Sequence, residues 1–185
     1  CTLATHAANA KKNMPMYEYR TNDSGVWNTE RVYPIKRALL SQNWDFVSLQ
    51  QASGSSGMQD TYGDLAYLIN YVKTYAPSAE IVWNMTWAYE QTSSHGEFVK
   101  YENSQEKMYN CIVSAVKNCV LTQSSVKKVI PCGTAIQNAR TSYVGDRLTR
   151  DGYHLTLDLG RYIAGLTLVE TLNGMPVRYV AYKPT

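Results

Sequence analysis

Asp151 and His154 stand three residues apart in the run Leu148-Thr149-Arg150-Asp151-Gly152-Tyr153-His154-Leu155. In a loop leading into a helix, this spacing lets the carboxylate hold one imidazole nitrogen while the other faces a cleft. The held tautomer makes the second nitrogen a general base, and the carboxylate stabilises the imidazolium that forms when it takes a proton. Such a pair is the acid–base half of a hydrolytic triad. The plainer reading of the same residues is an aspartate that caps the helix region and a histidine satisfied within its loop. Metal chemistry has less support: the three histidines, His6, His95 and His154, form no His-x-His or His-x-x-x-His pair. A site built from His6, Asp151 and His154 would depend on the fold alone, so no metal is expected. No Gly-rich phosphate loop occurs either, and neither nucleotide nor other cofactor is expected.

The elements that must position the pair can be read from periodicity. Asp45 to Gln50 is a short β-type run introduced by Trp44 and followed by the Gly/Ser loop Gln51 to Gly57. Leu65, Leu68, Ile69 and Val72 fall on one helical face, and Pro77 ends that helix before the apolar run Ile81-Val82-Trp83. Met108, Cys111, Ile112, Ala115, Val116 and Cys119 make a second stripe, and Val126 to Ile130 a third strand, stopped by Pro131. After a long loop, Leu159, Tyr162, Ile163, Leu166 and Val169 form a last helix that ends near Gly174. The order β-α-β-α-β-(long loop)-α predicts a parallel sheet with helices on its faces. Before it, Tyr17 to Arg20 and Val26 to Thr29 flank Asn22-Asp23-Ser24-Gly25, which is hairpin chemistry, and Ile35 to Leu40 suits a short helical turn. Three strands make a small parallel sheet, so either the hairpin region completes it or an opening βα unit precedes Cys1.

Ligands of open α/β sheets sit at the carboxyl ends of the strands, which singles out the loops after residues 50, 86 and 131. Trp87 and Tyr89 there could wall a sugar or acyl group, and Gln137 and Arg140 could hydrogen-bond its polar atoms. Core packing is the alternative for the two rings, and pairing with an acid such as Asp146 is the alternative for Arg140.

Composition limits the rest. At 185 residues, with 44% hydrophobic and 18% charged, the chain is expected to form one globular domain over residues 1–185. A net charge of +3 spread over isolated pairs such as Lys11-Lys12 and Lys127-Lys128 gives no basic stripe, so nucleic acid is not an expected partner. The longest nearly apolar stretch, Tyr162 to Val169, is under half a bilayer crossing, so no membrane span is expected. Cys1, Cys111, Cys119 and Cys132 lack the C-x-x-C spacing of zinc ribbons and redox pairs, and are compatible with one or two disulfides. The abundance of Tyr, 15 copies, supplies the amphipathic surface that sugar clefts use.

Several segments together resemble a little-characterised bacterial branch of the SGNH (GDSL-type) hydrolase superfamily. They are Trp44-Asp45-Phe46-Val47-Ser48-Leu49-Gln50-Gln51-Ala52-Ser53, Met85-Thr86-Trp87-Ala88-Tyr89, Val129-Ile130-Pro131-Cys132-Gly133-Thr134-Ala135-Ile136-Gln137-Asn138-Ala139-Arg140-Thr141-Ser142, and Leu148 to His154. They agree with it in order and spacing across nearly the whole chain. The resemblance implies a flavodoxin-like three-layer α/β/α sandwich. It also implies ester hydrolysis, often of acetyl or acyl groups on carbohydrates, by a cofactor-free Ser-His-Asp triad in which His154 is the base and Asp151 its orienter.

Two departures shape the expectation. The superfamily places its nucleophilic serine after its first strand, in a Gly-Asn-Ser or Gly-Asp-Ser setting, and no such tripeptide occurs here. In this branch a segment like Cys1-Thr2-Leu3-Ala4-Thr5-His6 follows a Gly pair after the second strand. The chain is therefore expected to begin inside the fold and, as it stands, to be inactive or nearly so. Relatives also carry Gly-x-Asn-Asp where this chain has Gln50-Gln51-Ala52-Ser53. A glutamine amide can donate to a developing oxyanion as asparagine does, a contribution of about 3 kcal/mol when well aimed, with Gln51 the first choice and Gln50 the second. Either could instead satisfy backbone groups of a tight loop. Ser53, Ser55 or Ser56 would serve as nucleophile only within hydrogen-bond reach of His154. Cys1 invites an N-terminal-nucleophile or lipid-anchor reading, against which the family-like residues after it favour an interior cleft position. The expected substrate is a small-molecule or glycan ester, and the expected location is secreted or periplasmic. The competing function is a non-catalytic carbohydrate-binding domain of the same fold.

Overall fold

A computed structural model describes residues 1–182 and residue 184. The first element is helix α1 (Leu3–Lys11), with Thr2 as its N-cap accepting the Thr5 amide. It buries Leu3, Ala7 and Ala10. Strands β1 (Tyr17–Asp23) and β2 (Val26–Tyr33) form the expected antiparallel hairpin. Its two-residue turn has Ser24 at φ 51° and Gly25 at φ 91°, the positive pair that a hairpin turn matched to strand twist requires. The short helix α2 (Ile35–Leu39) follows.

Strand β3 (Phe46–Leu49), helix α3 (Leu65–Tyr75), strand β4 (Glu80–Asn84), helix α4 (Gln105–Ala115) and strand β5 (Val126–Ile130) come next. The strands make a parallel sheet in the order β3-β4-β5, with Leu49 opposite Trp83 and Asn84 opposite Ile130. The stripe read on α3 is the one it buries: Leu65, Leu68, Ile69 and Val72. Alternate β4 side chains face opposite layers, as strand geometry demands. Ile81 and Trp83 join the α1, α3 and α4 side chains in the main core. Val82 and Ile130 meet Cys132, Ala164 and Leu172 on the other face. Helices α5 (Cys132–Arg140) and α6 (Leu159–Asn173) supply that layer, and Gly174 caps α6 at φ 68°. The architecture is the three-layer α/β/α sandwich.

The structure goes beyond or departs from the sequence reading in four places. α1 was unmarked because two of its three buried residues are alanines. α5 occupies the first part of the long loop expected before the last helix; its buried stripe of Cys132, Gly133, Ile136 and Arg140 mixes a glycine and a charge into the apolar positions, which hides the helical period. All four cysteines are free thiols, so no disulfide forms. The hairpin does not complete the parallel sheet; among the described residues β3 pairs on one side only, with β4. No described helix is long and apolar enough to cross a membrane.

Candidate active site

The loop before α6 is closed by a bridge between Thr149 and Leu155 and by the Arg150 amide donating to the His154 carbonyl, 2.9 Å. Gly152 turns it at φ 89°, where a side chain would be strained and would press on Ser93 at 2.9–3.1 Å. The turn brings the Asp151 carboxylate under the ring of His154. Nδ1 of His154 and Oδ2 of Asp151 are 2.7 Å apart. Oδ1 accepts the amides of His154 (2.8 Å) and Tyr153 (3.2 Å). Burial pushes the Asp151 carboxyl upward, but the hydrogen bonds from the His154 ring and the two amides outweigh it and hold its pKa at about 2. A carboxylate accepts only, so Nδ1 is the donor and the lone pair of neutral His154 lies on Nε2. That nitrogen has no hydrogen-bond partner among the described residues, on a side chain 54% exposed.

The loop after β4 fastens the pair in place. The Trp87 indole donates to the Tyr153 carbonyl at 2.7 Å, and the Glu90 amide to the Gly152 carbonyl at 2.8 Å. The Tyr153 ring packs on His154, on His95 and on Tyr89, with centroids 4.2, 4.5 and 5.7 Å away.

Three expected substrate contacts fall elsewhere. Tyr89 is fully buried, its hydroxyl 3.0 Å from that of Ser53, so it supports the cleft from beneath and forms no open wall. Arg140 has a side chain 3% exposed and pairs with Asp146 at 2.8 Å. It also donates to the Ala88 carbonyl (3.0 Å) and to Oε1 of Gln137 (3.1 Å). Burial lowers the Arg140 pKa, against the pull of Asp146 and Glu90. Arg140 thus ties α5 to the loop after β4, and Gln137, whose Nε2 donates to Oε1 of Gln105 at 3.4 Å, ties it to α4. Trp87 is half-buried and holds the dyad loop through its N–H.

The two glutamines separate in the same way. Gln51 is 1% exposed: its Oε1 accepts the amides of Leu3 (3.1 Å) and Ala52 (2.8 Å), and its Nε2 donates to the carbonyl and hydroxyl of Thr61. All four hydrogen-bonding directions of its amide are filled, which removes it as an oxyanion donor. Gln50, exposed at the end of β3, accepts from Nδ2 of Asn84 at 2.9 Å, and its own amide hydrogens have no acceptor among the described residues. Asn84 was missed. Its signal was a polar residue ending the apolar run of the central strand, and its buried Oδ1 has no partner, nor has the buried hydroxyl of Thr86. None of Ser53, Ser55 and Ser56 hydrogen-bonds to His154: Ser53 meets Tyr89, and the Ser56 hydroxyl donates to the Ser53 carbonyl. His6 bonds the Tyr17 hydroxyl at 2.9 Å, and no group of three metal-binding side chains occurs among the described residues.

The site is therefore an oriented Asp–His pair; Gln50, at the carboxyl end of β3, lines a groove with Leu3, His6 and Tyr17. Two distant structures share the fold. A protein from Slackia heliotrinireducens, provisionally named an SGNH hydrolase, aligns with 74% of this chain and 70% of its own at 23% identity and a TM-score of 0.52. One from Parabacteroides merdae ATCC 43184, provisionally named a GDSL-like lipase, aligns with 71% of this chain and 61% of its own at 16% identity and a TM-score of 0.50. Among curated proteins nothing matches. The crystal structure of a DUF4886 family protein from Bacteroides uniformis ATCC 8492 matches 100% of this chain and 72% of its own, at 42% identity and a TM-score of 0.95. The model of the family described as "Domain of unknown function (DUF4886)" matches residues 1–185, and the chain belongs to that family.

Proposed function

We propose that this chain carries the acid–base half of an SGNH-type serine esterase that removes acetyl or acyl groups from carbohydrates. The observation that carries the reading is the Asp151–His154 pair, bonded at 2.7 Å, with Nε2 unpartnered among the described residues on a half-exposed ring. In this reading the nucleophilic serine is delivered by a strand that pairs with the open edge of β3. Support comes from that edge, and from an adjoining groove of about 250 Å³ whose walls include Leu3, Ile35, Leu49 and Leu68.

The chemistry runs in two halves. Nε2 of His154 takes the serine proton as the serine oxygen bonds to the ester carbonyl carbon. Asp151 steadies the imidazolium, and the Gln50 amide donates to the oxyanion. The sugar hydroxyl leaves with the proton from His154. Water then repeats the sequence on the acyl-enzyme, releasing the carboxylic acid and restoring the serine.

The test is release of p-nitrophenol from p-nitrophenyl acetate, and of acetate from acetylated xylan, by the full-length gene product. Turnover that His154→Ala abolishes is the expected result. No turnover, or turnover unchanged by His154→Ala, overturns the proposal and leaves carbohydrate binding without catalysis.

A further inference from the structure

Helix α3 carries Tyr67, Tyr71 and Tyr75 at i, i+4 and i+8. Their rings form a row about 12 Å long on one helical face. Neighbouring centroids are 6.0 and 4.8 Å apart. Each ring rests partly on the core beneath it. Yet where Tyr62, Tyr89 and Tyr101 commit their hydroxyls to internal hydrogen bonds, the hydroxyls of this row make none among the described residues. Helices α1 and α2 wall the row and contribute a cation at each end. Nζ of Lys11 sits 4.8 Å over the Tyr67 ring, and Nζ of Lys36 sits 4.8 Å over the Tyr75 ring. A groove of about 380 Å³ runs between them, and Asn13, Asn70 and Thr74 complete its polar rim. No carboxylate lines it; Asp64 touches Lys11 from outside at 3.4 Å in an exposed pair.

Rings in a row, tilted 38° and 65° to one another and with hydroxyls and amides at their margins, match a sugar chain, which offers apolar C–H faces and a girdle of hydroxyls. Two ammonium groups with no acid in the groove select negative charge. Lys11 is exposed and Lys36 half-buried, and their contacts with the rings are weak enough to be exchanged for a ligand. We infer that the α1–α2–α3 groove is a binding site for an acidic, uronate-containing oligosaccharide, separate from the Asp151–His154 site. The rings would carry the sugar faces, and Lys11 and Lys36 the carboxylates.

The probe is unesterified oligogalacturonate, titrated calorimetrically into the full-length gene product carrying His154→Ala. This probe has no ester and this variant no general base, so the result does not depend on the esterase reading, and an esterase failure would not touch it. Saturable binding that weakens as salt rises is expected. Affinity should fall about tenfold in Tyr71→Ala, the scale of one lost aromatic anchor. It should fall comparably in Lys11→Gln/Lys36→Gln, which removes no core side chain and should change the melting temperature little. Absence of saturable binding, an equal affinity for neutral cello-oligosaccharide or for polyglutamate, or full affinity in the double lysine variant would each overturn the assignment.

Discussion

The Asp151 carboxylate receives its three hydrogen bonds from residues two and three positions along the chain, so the pair is assembled by one turn of backbone. Asp151→Asn keeps that turn but offers Nδ1 a donor as readily as an acceptor, so the imidazole loses its fixed tautomer. Esterase kcat of the full-length product should fall by about 10³ to 10⁴ with little change in KM. The acid limb follows from the carboxyl held at about 2 against an ordinary 3.8. A lowered folded-state pKa stabilises above the unfolded value and loses that stabilisation as pH falls through the folded one. The melting-temperature advantage of wild type over Asp151→Asn should therefore hold above pH 3.8 and vanish toward about 2. Gln50→Ala should lower kcat and leave the melting curve in place. Gln51→Ala should do the reverse through instability, since it orphans the Leu3 and Ala52 amides at about 1–3 kcal/mol each. Asp151 and His154 were legible because their partnership is local. Which of two adjacent glutamines faces inward was not, because strand side chains alternate and a single residue of register exchanges them. For Tyr89 the sequence left core packing and a cleft wall both open, because burial beneath a loop leaves no periodic trace to decide between them; the structure has it buried.

At the scale of elements, α5 lies so close to the exit of β4 that a Cβ on Gly133 would collide with the Thr86 carbonyl oxygen. The Gly133 amide donates to the Met85 carbonyl at 2.9 Å across the same junction. Gly133→Ala should cost more than about 3 kcal/mol or prevent folding, because backbone cannot yield as a side chain can. Urea titration followed by circular dichroism measures it. Arg140 locks the far end of the helix through Asp146 and the Ala88 carbonyl. Arg140→Met should destabilise by about 1–3 kcal/mol, because it leaves the buried Ala88 carbonyl without its donor, while Asp146 keeps the Gln91 amide and the Gln105 side chain. α3 and α4 were legible because their apolar residues repeat at helical spacing, and β3, β4 and β5 because short apolar runs are closed by loop residues or proline; α6 was legible in extent, though Gly160 is the one residue it fully buries and Val169 of its expected stripe is exposed. α1 and α5 were not, since alanine, glycine and arginine at buried positions carry no hydrophobic contrast.

For the whole molecule, the parallel sheet is covered by helices on both faces, while the outer edge of β3 remains unpaired among the described residues. An unpaired edge invites another strand. The 185-residue chain alone should associate as its concentration rises. Ser48→Lys, at the exposed position of β3, should suppress that association without changing the circular dichroism spectrum, as sedimentation velocity would record. The β1–β2 hairpin meets the rest through its base, where Tyr17 reaches His6 and the Arg37 guanidinium lies over Tyr33. Its turn at Ser24-Gly25 is exposed, with a Cβ on Gly25 meeting nothing within 4 Å. A fluorescent or affinity peptide grafted at that tip would thus ride clear of sheet and dyad alike, giving a handle for immobilising the protein in a known orientation.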